Sequence, residues 1–258
     1  MKEAPVVVGA DLSAPSSVAL EWAVEDAIRR ERPLRIVHAI DLAKYLTGPP
    51  AAKAFAAPVI VESAYEVAVE GLADALAWVR GRRRHPAATA HVVSGTPVAV
   101  LRDEGRDAVE IVVGHRRRNE VADLLFGSVA LALAAETKTP VVVAKRATAC
   151  PHDDVVVFLE PRPAPDALLS YAFRTASAHG VRLRVLRDGS AAGSPLDGWR
   201  RLHPGVRVHE QHCDEDARSA LLSASVAARL LVVESRRPWR LARLIRRSAC
   251  PVAVVPAP

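Results

Sequence analysis

Residues 112–130 read VVGHRRRNEVADLLFGSVA. An apolar, β-branched run stops at Gly114. Arg116, Arg117 and Arg118 follow, then a polar bend, then LLFGSVA, which has the look of a helix start. A strand that ends on a glycine and hands over to a helix is the building unit of parallel α/β sheets. Two questions follow. Does the chain repeat this unit, and is the loop a phosphate cradle or only a basic surface loop?

Working outward, the unit recurs. Val6-Val7-Val8-Gly9 is a short apolar run suited to a strand buried on both faces. Asp11-Leu12-Ser13 and Pro15-Ser16-Ser17 supply turn and helix-capping chemistry. Apolar residues at 19, 20, 23, 24, 27 and 28 then keep helical spacing through Arg30. RIVHAI at 35–40 reads as the second strand. Residues 43–60, rich in Ala, Pro and Gly, read as a loop, and 62–79 as a long helix closed by Gly81 and Arg82 to Arg84. A third strand is expected at 90–93, a short helix at 98–106, a fourth strand at 110–113, a helix at 128–137 and a fifth strand at 141–144. Alternation of this kind predicts right-handed crossovers and a parallel, doubly wound sheet. Such sheets bind ligands beyond the carboxyl ends of their strands, at the switch point.

The pattern starts again after Asp153. Strands are expected at 155–159, 182–187, 206–212, 230–235 and 250–256, and helices at 166–179, 214–225 and in the arginine-rich run before Cys250; 188–198 is rich in Gly, Ser and Pro. The halves rhyme: VVVGAD (6–11) with VVVFLE (155–160), EIVVGHRR (110–117) with LLVVESRR (230–237), TPVVVAK (139–145) with CPVAVVP (250–256). This is an internal repeat of two unequal copies. The expected domains are 1–147 and 153–258, with the boundary around Ala147 to His152.

Half of the 258 residues are apolar and only 4% are aromatic, so the core must be Val, Leu and Ala. The net charge is +6, and Lys occurs only at 2, 44, 53, 138 and 145, so the basic residues are mostly arginine. A basic surplus can serve nucleic acid, anionic lipid or an anionic ligand; dispersal of the arginines among acidic residues fits plain compositional bias equally well. Cys150, Cys213 and Cys250 are odd in number and form no motif, which reads as free thiols in a reducing cytoplasm. MKEAP runs straight into the first strand without an apolar leader, and no stretch reaches membrane-span length. The expectation is a cytoplasmic protein without membrane contact.

The first half resembles the universal stress protein family, nucleotide-binding type. VVVGADLSAPS, HAI at the end of the second strand, and the 112–130 stretch carry the resemblance. The family's ATP signature is a Gly, two residues, a Gly, nine residues, then Gly-Ser or Gly-Thr. Here Gly114 and Gly127-Ser128 keep that length, and Arg117 stands where the second Gly belongs. The resemblance covers nearly all of 4–146, and the second half looks like a shorter copy. It implies an α/β fold of two doubly wound, Rossmann-like (adenine nucleotide alpha hydrolase-like) five-stranded parallel-sheet domains, the second degenerate. It also implies ATP or a related adenine nucleotide in the first domain only. The matching Asp contacts the adenine, Ala39 offers a backbone group to it, and Val113 and Gly114 lie near ribose and phosphates. The site so implied comprises Gly9, Asp11, Ser13, Ala39, Val113, Gly114, Arg116, Arg117, Gly127, Ser128 and Val129.

The residue chemistry is compatible with that reading. Glycine lets backbone N–H groups approach a phosphate, and a helix opening at Gly127-Ser128-Val129 favours an anion. Arg117 has two readings. As a non-glycine at φ > 0 it costs about 1 kcal/mol and obstructs the phosphate path; alternatively Arg116 and Arg117 themselves grip phosphate.

In the second copy Phe158 replaces the strand-end Gly, Glu160 stands for Asp11, Arg162 for Ser13 and Glu234 for Gly114, and the following loop is too short for the nine-residue spacing. No nucleotide is expected there. Its role is structural, pairing with the first half as a pseudo-dimer through the last strands, as tandem members of the family do; a homodimer is a further expectation. RRPWRLARLIRR (236–247) could touch lipid or nucleic acid, but the stronger reading is a surface helix with its apolar stripe on the sheet. His203, His209, His212 and Cys213 form only a loose cluster, so no metal is expected. Asp153 and Asp154 read as a solvated turn. No serine elbow, activated cysteine or true P-loop is present, so the protein is read as a binder and not an enzyme. The competing reading is a scaffold that binds no nucleotide and works through protein–protein contacts.

Overall fold

The computed structural model describes residues 3–45, 50–115, 128–146, 153–160, 166–188, 196–214, 216–235 and 238–257. By its contacts the chain forms two compact units, Met1–Gly114 and His115–Pro258. The repeat boundary expected at Ala147 to His152 lies outside the described residues.

Unit 1 contains β1 (Val6–Gly9), α1 (Ala14–Arg30), β2 (Leu34–Ile40), α2 (Leu42–Tyr45), α3 (Pro50–Arg80), β3 (Ala88–Ser94), α4 (Pro97–Glu104) and β4 (Glu110–Gly114). Its strands run in the order β3-β2-β1-β4, all parallel. Val6, Val7 and Val8 are wholly buried, as a central strand covered on both faces requires. One expectation fails here. Residues 43–60 are not a loop: α2 occupies 42–45, and α3 starts at Pro50, twelve residues before the expected start. Alanine is the best helix former and proline is tolerated at the first helical position, so the Ala-rich run is helical in spite of Pro58 inside it. α1 also starts earlier than its apolar spacing indicates, with Ser13 at the N-cap position and Pro in its first turn.

Unit 2 contains α5 (Ser128–Glu136), β5 (Val141–Ala144), β6 (Asp154–Leu159), α6 (Asp166–His179), β7 (Leu183–Asp188), α7 (Asp197–Leu202), β8 (Val208–Cys213), α8 (Ala217–Ser225), β9 (Ala228–Glu234), α9 (Pro238–Arg247) and β10 (Val252–Val255). The strand order is β5-β10-β9-β6-β7-β8, parallel except for the antiparallel pair β5–β10. β5 and β10 are the last strands of the two sequence repeats, joined here with Val142 opposite Ala253. Lys145 strengthens the joint by donating from Nζ to the Ser248 carbonyl at 2.7 Å, just past α9.

The strand registers show that the repeats correspond residue by residue. Val6 faces Leu34 as Val155 faces Leu183, and Gly9 faces Val37 as Phe158 faces Leu186. Val8 faces Val112 as Val157 faces Val232, which places Glu234 at the position of Gly114. Within α9, Leu241, Leu244 and Ile245 are buried while Arg243, Arg246 and Arg247 are exposed. The apolar stripe is therefore spent on the fold. A second correction concerns the acidic pair. Asp153 is exposed, but Asp154 begins β6, is 4% exposed, and holds Arg182 in a two-pronged ion pair at 3.0 and 3.1 Å. A sequence shows two adjacent aspartates as a polar turn; only the arrival of Arg182, just before β7, makes burial of one tolerable. α7 was not expected, and Trp199 on it stacks against Phe173 and His203.

Candidate functional site

β1 lies between β2 and β4 and parallel to both, so three strands deliver their carboxyl ends side by side in unit 1. The chain leaves β1 toward β2 and later comes back to β4 on the other side, which makes this edge the switch point of the sheet. Gly9, Ala39, Val113 and Gly114 belong to these strand ends, and Asp11 and Ser13 to the turn that leads from β1 into α1. Ser128 and Val129 open α5 in unit 2. Arg116, Arg117 and Gly127 lie outside the described residues.

Each strand-end residue has a local physical reason. A Cβ on Gly9 would stand 2.9 Å from Leu101 Cδ1 of α4 and 3.6 Å from Val113 Cγ1, so a glycine is needed there for close packing of α4. Asp11 is exposed and organises a turn: its Oδ1 accepts from the Ser13 backbone N–H at 3.1 Å and from the Ser13 hydroxyl. Between them Leu12 takes a left-handed conformation, φ 60. That costs a non-glycine residue about 1–2 kcal/mol. The side chain of Leu12 is seated on Gly71 of α3, where any Cβ would overlap its methyl carbons. The loop that carries Asp11 is thus held by a strained residue fixed on a helix.

β2 holds the other side. Ala10 N–H donates to the Val37 carbonyl at 2.8 Å, and His38 Nδ1 lies 2.7 Å from the Ala10 carbonyl oxygen. A carbonyl only accepts, so this contact requires the proton on Nδ1. Ala39, opposite Val93 of β3, is half-buried and shows its backbone at the strand end. Val113 is buried and Gly114 half-buried. Leu12, His38 and Gly71 were not singled out from the sequence. The only signal was HAI at the close of the second strand; the pairing of Leu12 with a glycine 59 positions on has no local pattern.

The same edge of the second repeat is closed off. Arg187, the counterpart of His38, is buried and donates to Glu210 at 2.9 Å, and Arg200 reaches the other oxygen of that carboxylate at 2.8 Å. Phe158 and Glu234 occupy the two glycine positions. A carboxylate at the Gly114 position repels a phosphate. Arg162 lies outside the described residues.

No group of three or more potential metal ligands occurs among the described residues, and no described helix is long and apolar enough to cross a membrane. Cys213 and Cys250 are free thiols, and β8 carries His209 and His212 at strand spacing, on opposite faces.

Comparison with known proteins agrees with the fold. The Universal stress protein family matches residues 4–145. A universal stress protein of Mycobacterium tuberculosis is 30% identical over 282 residues, covering 89% of this chain and 85% of the relative. One from Mycolicibacterium smegmatis is 27% identical over 259 residues, covering 89% and 86%. Among solved structures, a universal stress protein from Archaeoglobus fulgidus superposes with a TM-score of 0.72 at 20% identity, over 99% of this chain and 97% of that one. Both the domain match and the full-length relatives lead to one conclusion: the chain belongs to the universal stress protein family.

Proposed function

We propose that the first repeat binds ATP or a related adenine nucleotide and that the protein acts in the cytoplasm as a regulatory binder, not a catalyst. The observation that carries this is the coincidence of the Gly114…Gly127-Ser128 frame with the end of β4, at a switch point already equipped with an ordered Asp11 turn. In this reading Asp11 accepts from the adenine or ribose, the Ala39 backbone borders the base, and Val113 and Gly114 border ribose and phosphates. Phosphate oxygens meet the N–H groups of Gly127, Ser128 and Val129 and the Ser128 hydroxyl, with Arg116 and Arg117 as charged donors. Gly9 admits α4 behind the site, and Ser13 orients Asp11. No lysine stands between Gly127 and Ser128, so rapid hydrolysis is not part of the reading. The antiparallel β5–β10 joint supports a pseudo-dimer of the two repeats, in which nucleotide occupancy sets dimer state or partner choice under stress.

Arg117 in the second glycine position favours the alternative, a scaffold without nucleotide. Calorimetric titration separates the two. ATP is expected to bind the purified chain, Asp11→Ala to weaken it at least about tenfold, roughly the loss of one charged hydrogen bond, and Glu234→Ala to leave it unchanged. The absence of both heat and a thermal shift at millimolar ATP overturns the nucleotide reading in favour of the scaffold.

A further inference from the structure

At the opposite end of the unit 1 sheet lies a cleft of about 470 Å³ that the nucleotide reading does not use. It lies at the amino ends of β2 and β3. Ala27 and Ile28 of α1 with Pro33, Pro86 and Ala87 give it an apolar lining. Arg32 comes from the α1–β2 turn, and Arg83, Arg84 and His85 from the α3–β3 turn, with Glu3 and Glu31 also at its wall. The volume falls in the range of small-molecule sites, about 300–1,000 Å³.

We infer that this cleft is a binding site for a small organic anion, with a carboxylate or phosphate head on an apolar body. Among the described residues, Arg32, Arg83 and Arg84 each lack a carboxylate within ion-pair distance, although Glu3 and Glu31 line the same cleft. Neighbouring Arg82 is occupied, its guanidinium stacked 4.7 Å over Trp78. Three guanidiniums that line one cleft without an ion-paired carboxylate suit a carboxylate or phosphate head, which a guanidinium binds in planar, two-pronged fashion, and the apolar lining selects against a bare inorganic ion. Compositional bias does not account for the arrangement. By register, the second repeat has Val181 at the place of Arg32, and His203 and Pro204 at the places of Arg83 and Arg84. There His203 is instead stacked 5.4 Å from Phe173. The three arginines are thus not repeated at the corresponding positions of the second repeat.

The test is titration of the full chain, without nucleotide, with phenyl phosphate, benzoate and inorganic phosphate, followed by the amide resonances of 83–85 and 87. Saturable shifts are expected with at least one organic anion, weakened by salt, and the phosphate and carboxylate arms report which head is preferred. Arg83→Ala combined with Arg84→Ala, both exposed and so harmless to the core, is expected to weaken binding at least about tenfold, the equivalent of one charge-assisted contact. Arg207→Ala and Asp11→Ala leave it unchanged. Three results overturn the inference: no saturable shift with either organic probe, equal affinity in the double variant, or inorganic phosphate binding as tightly as phenyl phosphate.

Discussion

The two repeats solve one packing problem in two ways. In the first, Asp26, Arg30 and Glu110 form a buried ionic set: Arg30 Nε lies 2.5 Å from Asp26 and its Nη2 3.4 Å from Glu110, with exposures of 7%, 1% and 0%. By register the counterparts are Thr175, His179 and Leu230. Thr175 turns its hydroxyl back to the Tyr171 carbonyl at 2.8 Å, Leu230 is plainly apolar, and His179 Nδ1 accepts from Arg229 Nε at 2.7 Å. Arg229 carries that contact outward to exposed Asp153. The position requires filled volume and satisfied polar atoms; it does not require charge.

That contrast gives the largest expected effect. Removing one member of a buried ionic set leaves the others uncompensated, at about 3–5 kcal/mol. Asp26→Thr is expected to destabilise the chain by that amount in denaturant titration. The triple change Asp26→Thr, Arg30→Leu, Glu110→Leu, which removes every charge of the set and takes the second repeat's residues at positions 26 and 110, should return to within about 2 kcal/mol of the parent. A single variant that unfolds like the parent would break the comparison.

The repeat itself was legible because it rests on period and on apolar runs: VVVG, EIVVG and TPVVVA announce strands whatever surrounds them. The frame from Gly114 to Ser128 was legible for the same reason, being a spacing. What escaped depended on distant partners. Asp154 reads as solvated until Arg182, just before β7, arrives beside it, and Leu12 becomes an anchor only because α3 brings Gly71 beneath it. The helix from Pro50 escaped through weighing its prolines above its alanines.

A smaller effect concerns the ends of α1 and α6. Both close in the same six-residue turn. Glu31 N–H donates to Ile28 and Arg32 N–H to Ala27, just as Gly180 donates to Ser177 and Val181 to Ala176. The residue in the left-handed conformation is Glu31 at φ 55 in the first repeat and Gly180 at φ 66 in the second. Glycine carries no Cβ penalty there. Glu31→Gly is expected to stabilise the chain by about 1 kcal/mol, and Gly180→Ala to cost about as much, read as opposite shifts of the unfolding midpoint. Shifts of the same sign would show that the two turns are not equivalent.

The smallest effect separates the repeats by pH. α4 and α8 correspond, and so do their N-caps, Thr96 and Asp216. Thr96 Oγ1 accepts from Ala99 N–H at 3.4 Å, a contact that does not titrate. Asp216 accepts from the Ser219 hydroxyl at 2.7 Å and from the N–H groups of Ser219 and Arg218 at 3.3 and 3.0 Å. The Ser219 hydroxyl first, then its backbone N–H, hold the Asp216 carboxyl below its ordinary value against the opposing effect of burial, with smaller help from the Arg218 amide and charge. A carboxylate with a depressed folded-state pKa stabilises above its unfolded value, about 3.9, and loses that contribution as pH falls through the folded value. The first turn of α8 should therefore lose amide protection on acidification below about pH 4, while the Thr96 cap holds. Asp103, exposed on α4 and held low chiefly by Arg102 and also by Arg106, gives the first repeat an acid response of its own, so the decisive quantity is a difference. Asp216→Asn should flatten the acid limb of α8 exchange and leave that of α4 as it was; an Asn variant that still loses α8 protection along the parent's curve would place the acid sensitivity elsewhere than the cap.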